Sequence, residues 1–194
     1  MSAEIRRYWL VLGIAVLIFL IEVLGGIISN SLALLSDAGH VLADAAAVII
    51  SLITAYQAGK NPEKEKKIRS IGVYLNAGIL GLLSILIFWE ACQRFQSPAK
   101  IAGGIMFWSA IAGMVLNYVQ HRILKTAGHE EHHLTHQAIS WHILSDFWQS
   151  LAVVAASILI ALTGKIIIDP LLSLAVSAVM AYWTVKLFWK NYRS

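Results

Sequence analysis

The sequence predicts an all-α polytopic membrane protein, a bundle of six transmembrane helices with both termini on the cytoplasmic side. Three observations predict it. The 194-residue chain is 58% hydrophobic and only 13% charged, with a mean hydropathy of +0.70, whereas soluble domains carry about 25% charged residues. Its apolar residues fall into six blocks of about 20 or more, each long enough at about 1.5 Å per helical residue to cross about 30 Å of hydrocarbon. Its Lys and Arg residues are divided unevenly between the connecting segments.

Taken in order, the blocks are residues 8–28, 32–58, 71–95, 101–123, 139–162 and 166–189. The first is too long for a signal-peptide core and is not followed by a convincing small-residue cleavage site, so it is expected to stay attached. The second and fifth are rich in small residues, among them Ala33, Ala38, Gly39, Ala43, Ala45, Ala152, Ala155 and Ala156. Such residues let helix backbones approach closely in lipid. The sixth opens on Asp169-Pro170, a carboxylate that can cap free amides beside a proline tolerated in a first helical turn. Tyr8, Trp9, Trp89, Trp183, Trp189 and Tyr192 sit near block ends, where aromatic rings anchor at the membrane interface. The connecting segments are about a dozen residues at most, so the chain reads as one membrane domain without a soluble catalytic module. Cys92 has no partner in the sequence and forms no intramolecular disulfide.

Cytoplasmic loops retain positive charge. With both termini inside, Arg6, Arg7, Lys60, Lys64, Lys66, Lys67, Arg69, Arg122, Lys125, Lys186, Lys190 and Arg193 are cytoplasmic, 12 of the 15 basic residues, and only Arg94, Lys100 and Lys165 lie outside. The net charge of +4 is then a topology signal. It does not imply nucleic-acid binding, because the basic residues sit at helix ends without an interleaved aromatic platform.

The chemistry concentrates in two pairs, His40 with Asp44 in SDAGHVLAD and His142 with Asp146 in SWHILSDFW. Residues at i and i+4 of a helix share a face, so each pair offers a nitrogen and a carboxylate to one point. With seven His and four Asp in the chain, chance supplies about 0.14 such pairs. Ionisable groups inside a bilayer are costly and usually face a cavity, pathway or partner. The second and fifth spans run antiparallel in this topology. Counting along each helix puts Asp44 about 18 Å and Asp146 about 20 Å from the outer face. His142 falls too near the inner face unless the fifth helix begins around His136.

Four ligands of type His2Asp2 suit a tetrahedral divalent ion, with Zn2+ the first choice. Cd2+, Co2+, Ni2+ and Mn2+ stay open, Cu(I) is disfavoured for want of a thiolate cluster, and Mg2+ by its preference for oxygen and water. Two aspartates cancel the ion's charge where net charge is expensive. When the metal leaves, the same carboxylates and histidines are candidates to take up protons, which implies metal/proton antiport. Two alternatives come from other classes: an intramembrane metal-dependent enzyme that activates water, and a membrane metal sensor that binds ions without moving them. Against the enzyme stand the missing HExxH pattern, the lack of an evident base beside the ligands and a ligand set that closes a tetrahedral site.

The run IEVLGGIISNSLALLSDAGHVLADAAAVIISL, with HILSDFWQSLAVV, TGKIIIDPLLSLAVS, LNA at Leu75 to Ala77 and WEACQRFQSP at Trp89 to Pro98, resembles the cation diffusion facilitator family, especially its zinc and cadmium efflux branch. The resemblance covers nearly all six spans. It implies that His40, Asp44, His142 and Asp146 form the transport site and that divalent metal is exported from the cytosol in exchange for protons. It also implies alternating access, usually in a homodimer, in the inner or plasma membrane. Most members continue past the sixth helix into a cytoplasmic metal-binding domain, whereas this sequence ends at Ser194.

Weaker signals surround that site. Asp37, three residues before His40, is read either as a guide for ions toward the outer mouth or as a helix-end or packing residue. Glu22 lies within the first span, read as protonated, snorkelling or part of a proton route, or else as satisfied in the packing. Asn76 and Asn117 read as interhelical hydrogen-bond groups, His121 as an interfacial residue and Asp169 as structural. The segment GHEEHHLTH, residues 128–136, is read equally as a metal-capturing loop and as a solvated connector.

Overall fold

The computed structural model describes residues 3–60, 62–125 and 134–193, with backbone alone at 3–8, 55, 124–125 and 134–142. Among these residues six long helices follow one another: α1 (Ala3–Ser29), α2 (Leu32–Lys60), α3 (Glu65–Gln96), α4 (Gly103–Lys125), α5 (Leu134–Thr163) and α6 (Ile168–Tyr192), with a 3-10 turn at Pro62–Lys64 before α3. No strand occurs among the described residues. The chain is an all-α, multi-pass integral membrane protein.

Five of these helices are long and apolar enough to cross a membrane. The exception is α4, whose 23 residues reach about 34 Å but include Asn117, Tyr118, Gln120, His121 and Arg122. Two of those polar groups turn inward. Asn117 Nδ2 donates to Ser150 Oγ at 3.2 Å and Gln120 Nε2 to the Val11 carbonyl at 2.7 Å. The polarity that lowers the apolar content of α4 is thus satisfied by neighbouring helices, the arrangement a bilayer demands. At the other extreme α3 starts well before its apolar block. Its first turn is charged, with Arg69 Nε on Glu65 Oε1 at 2.8 Å.

Hydrogen bonds between helix ends sort the bundle. Asn30 reaches the Lys100 carbonyl, Ala102 N–H the Ser29 carbonyl and Asp169 the start of α2, which gathers the ends of α1 and α3 with the starts of α2, α4 and α6. At the opposite end Gln120 joins α4 to α1, and Asn191 Nδ2 donates to Ser70 Oγ at 2.7 Å, joining α6 to α3. That second end carries Lys60, Lys64, Lys66, Lys67, Lys186, Lys190 and Arg193 and is called the basic end; the first is the capped end. At the basic end Lys186 Nζ lies 4.4 Å from the Trp183 ring centroid and the Arg193 guanidinium 4.7 Å from that of Trp189. Cations laid over interfacial rings in this way can reach polar surroundings from an apolar helix.

Laterally, α4 packs along α5 and α3 along α6, while α1 touches α2 and α4. An apolar cluster built on Ala33, Leu34, Met106, Ala110, Val153 and Ile160 fills the space between α2, α4 and α5 toward the capped end. Large apolar side chains elsewhere face outward, including Leu52, Ile85, Trp108 and Leu162. In water such a surface would drive aggregation; in lipid it is the ordinary exterior.

Candidate metal centre

The centre depends on how α2 begins. Helix α1 ends in a left-handed residue, Asn30 at φ 57°, with Ser31 N–H on the Gly26 carbonyl at 3.0 Å and Asn30 N–H on that of Ile27 at 3.3 Å. This paired closure is the Schellman ending, in which asparagine tolerates the left-handed conformation. Ser31 then caps α2, its Oγ accepting Leu34 N–H at 3.2 Å. A second cap comes from across the bundle. Asp169, fully buried on α6, accepts Leu32 N–H on Oδ2 at 2.8 Å and Ala33 N–H on Oδ1 at 3.1 Å, and receives the Ser31 hydroxyl at 2.6 Å. The sequence placed this carboxylate as a cap, but the amides it serves belong to α2 rather than to its own helix. Arg94 completes the assembly, donating from Nη1 to the Asn30 carbonyl at 2.6 Å while standing 3.7 Å from Asp169 Oδ2.

From that anchored start His40 lies eight residues along α2 and Asp44 twelve; from the start of α5 at Leu134, His142 lies eight along and Asp146 twelve. At about 1.5 Å per residue the aspartates are each about 18 Å in, near mid-helix. Helix α5 begins two residues before His136. The helix starts ahead of its apolar block.

Helices α2 and α5 meet along a short stretch that includes the polar contacts of Asp37 with Gln149 and Ser150 and of His40 with Asp146. His40 Nε2 stands 3.5 Å from Asp44 Oδ2 and 3.9 Å from Asp146 Oδ1, and one donor atom from each residue lies within 4.8 Å of the other two. Ligands on a tetrahedral ion at about 2.1 Å stand about 3.4 Å apart, so His40 and Asp44 are already at that spacing and Asp146 needs only a small approach. Three of the four expected residues are thus brought together. The fourth, His142, has its backbone on α5 one turn before Asp146, and its side chain lies outside the described residues. Residues 126–133, most of the histidine-rich segment, lie outside them as well.

Exposure rises along α2 through the centre. Asp37 is buried, the His40 side chain is 18% exposed and that of Asp44 30%. On α5 Asp146 is 12% exposed. Beyond Asp44 most of α2 is exposed, whereas from Leu32 to Ala38 it is almost wholly buried. Toward the capped end the centre is shut by buried residues of α2.

Immediately on the shut side is a polar layer. Asp37 Oδ1 receives Gln149 Nε2 at 2.6 Å and its Oδ2 receives Ser150 Oγ at 3.1 Å, while that same Ser150 oxygen accepts Asn117 Nδ2. Asp37 is therefore a tie between α2 and α5 and not a group at the outer mouth. Asn117 is the interhelical hydrogen-bond group expected. Sequence reasoning did not pick out Gln149 or Ser150, although both follow Asp146 by helical spacing, three and four residues on, and so share its face.

Comparison with known proteins agrees with this architecture. Residues 8–194 match the family model described as the cation efflux transmembrane domain. The chain is 40% identical over 164 residues to a zinc transporter ZitB of Pectobacterium atrosepticum, covering 82% of this chain and 51% of that protein. It is 36% identical over 178 residues to the ZitB zinc transporter of Escherichia coli K12, covering 89% and 56%. It is 34% identical over 163 residues to a cadmium, cobalt and zinc/H(+)-K(+) antiporter of Bacillus subtilis, covering 81% and 52%. The chain spans about half the length of these relatives. With a family match running from the first helix through the last, this chain belongs to the cation efflux family and comprises its transmembrane domain.

Proposed function

We propose that the chain carries a divalent cation, Zn2+ first among the candidates, across the inner membrane in exchange for protons by alternating access. The observation that carries this reading is the convergence of His40, Asp44 and Asp146 at mid-helix on two different helices, where ionisable groups are otherwise expensive. His142 is the proposed fourth ligand, completing a His2Asp2 set that closes a tetrahedral site. Relatives named for zinc transport and for cadmium, cobalt and zinc antiport support the cargo class and the exchange. The chain is read as working in pairs, as the family resemblance implies; native mass spectrometry of the purified protein reads that directly.

Proteoliposomes containing the purified chain provide the test. Zinc flux that responds to an imposed pH gradient and moves protons the opposite way is the expected result. Zinc movement indifferent to the gradient removes the antiport, product formation without vectorial movement favours the enzyme, and binding without either favours a sensor.

A further inference from the structure

Glu22 sits seven residues before the end of α1, fully buried. Neither of its carboxylate oxygens receives a hydrogen bond among the described residues. Space is kept for it: a Cβ on Gly113 of α4 would fall 2.5 Å from Glu22 Oε1, so α4 carries no side chain where the carboxyl lies. The neighbour within hydrogen-bond reach is the carboxyl of Asp37 on α2, whose two oxygens already hold Gln149 and Ser150.

This arrangement sorts the two acids. A buried carboxylate with no donor leaves both its oxygens unsatisfied beside a second negative group, a costly state in an apolar interior. A carboxylic acid at the same place donates its O–H to Asp37 and removes both the repulsion and one orphaned oxygen. Asp37 is the natural acceptor, because two donors already stabilise it as the anion. The remaining ionisable groups in reach are Asp146 on α5, which adds negative charge near Glu22, and His40 on α2, which faces Asp37. From α4 the groups presented are Gly113 and neutral Asn117.

We propose that Glu22 is a proton-carrying site of the transporter: it holds a proton donated to Asp37 while the metal centre is empty and releases it to water when a divalent cation occupies His40, Asp44 and Asp146. This rests on the metal-centre reading above and assigns the exchanged proton to a carboxyl outside the ligand set. The cation supplies the positive charge that replaces the proton in stabilising the Glu22 carboxylate, so two neighbouring sites exchange charge without sharing an atom.

Glu22→Gln tests it, because glutamine mimics the acid: its Nε2 can donate to Asp37 but has no proton to release. Zinc chloride is added to the purified chain in weakly buffered detergent, with protons read by an indicator dye and binding by calorimetry. The expected result is zinc affinity within about threefold of wild type with about one fewer proton released per ion. Equal proton release from both proteins overturns the inference and leaves the metal centre standing, whereas absence of zinc binding in the wild type overturns both. Should the variant not fold, the wild type still decides. Among the described glutamates only Glu22 is fully buried, so the infrared difference spectrum of protein labelled with carbon-13 glutamate should lose a protonated-carboxyl band on zinc addition. A spectrum without that loss overturns the inference.

Discussion

The carboxylate of Asp169, on the sixth helix, accepts the backbone amide of Leu32, the first residue of the second, at 2.8 Å. Helix starts leave amides without intrahelical partners, and in lipid no water replaces them. Here the replacement comes from a residue far along the chain, so capping α2 also sets where α2 stands against α6. The depth of His40 and Asp44 follows from that one contact set.

Replacing Asp169 with alanine leaves the Leu32 and Ala33 amides and the Ser31 hydroxyl without this acceptor. The expected loss is about 3 kcal/mol of stability, with Asp169→Asn intermediate because one oxygen acceptor remains. Denaturant unfolding in mixed micelles, followed by circular dichroism, measures both. Equal stability of all three proteins would contradict the cap.

Asp44→Ala and Asp146→Ala each remove a negatively charged ligand from a partly exposed site rather than a cap from a buried one. Zinc affinity should fall by about 100-fold or more while the unfolding midpoint changes little. Calorimetry and thermal unfolding on the same samples separate the two effects. Wild-type zinc affinity in a folded variant would remove that aspartate from the centre.

Exchanging His40 for aspartate turns a mixed nitrogen and oxygen set into one dominated by oxygen. The preference for Zn2+ over Mn2+ should drop by about tenfold, since carboxylates favour the harder ion. Competition binding with the two metals reads the ratio. An unchanged ratio would argue against His40 as a ligand.

Gly113 and Gly78 make a paired test of packing. A methyl group at Gly113 meets Glu22 Oε1 at 2.5 Å and Ser150 Oγ at 3.6 Å, whereas one at Gly78 meets nothing within 4 Å. Gly113→Ala should cost about 1 to 3 kcal/mol. Gly78→Ala, in the open on α3, should be neutral or stabilising by about 0.5 to 1 kcal/mol.

X-ray absorption at the zinc edge counts imidazole ligands directly. The wild type should show two and His142→Ala one, with the carboxylate shell unchanged. A single imidazole in the wild type would leave His40, Asp44 and Asp146 as the protein's share of the coordination.

Much of this protein is legible without coordinates because the bilayer imposes one rule on every segment. Backbone polar groups must be satisfied within the segment, so apolar blocks of sufficient length become helices; α1, α2, α3, α5 and α6 all qualify on composition and length. The helix α4 is less apolar, and what makes it fit is tertiary: Asn117 and Gln120 find partners on α5 and α1. Within α2 the spacing of His40 and Asp44 already places them on one face, as it does His142 and Asp146 on α5. The boundaries were less legible, since α3 and α5 run on beyond their apolar blocks, where charge and polarity are no obstacle to a helix outside the hydrocarbon.

The sequence by itself determined the class of fold, the half-sites and the direction suggested by charge, because periodicity and the cost of burying charge act locally along the chain. Only the tertiary structure decided that His40 meets Asp146, that Asp37 binds Gln149 and Ser150 instead of lining a mouth, that Glu22 lies against Asp37, and that Asp169 caps α2. Each of these joins residues on separate helices. Their meeting is set by the rotation and depth of one helix against another, which side-chain packing over whole interfaces determines and no single stretch of sequence encodes.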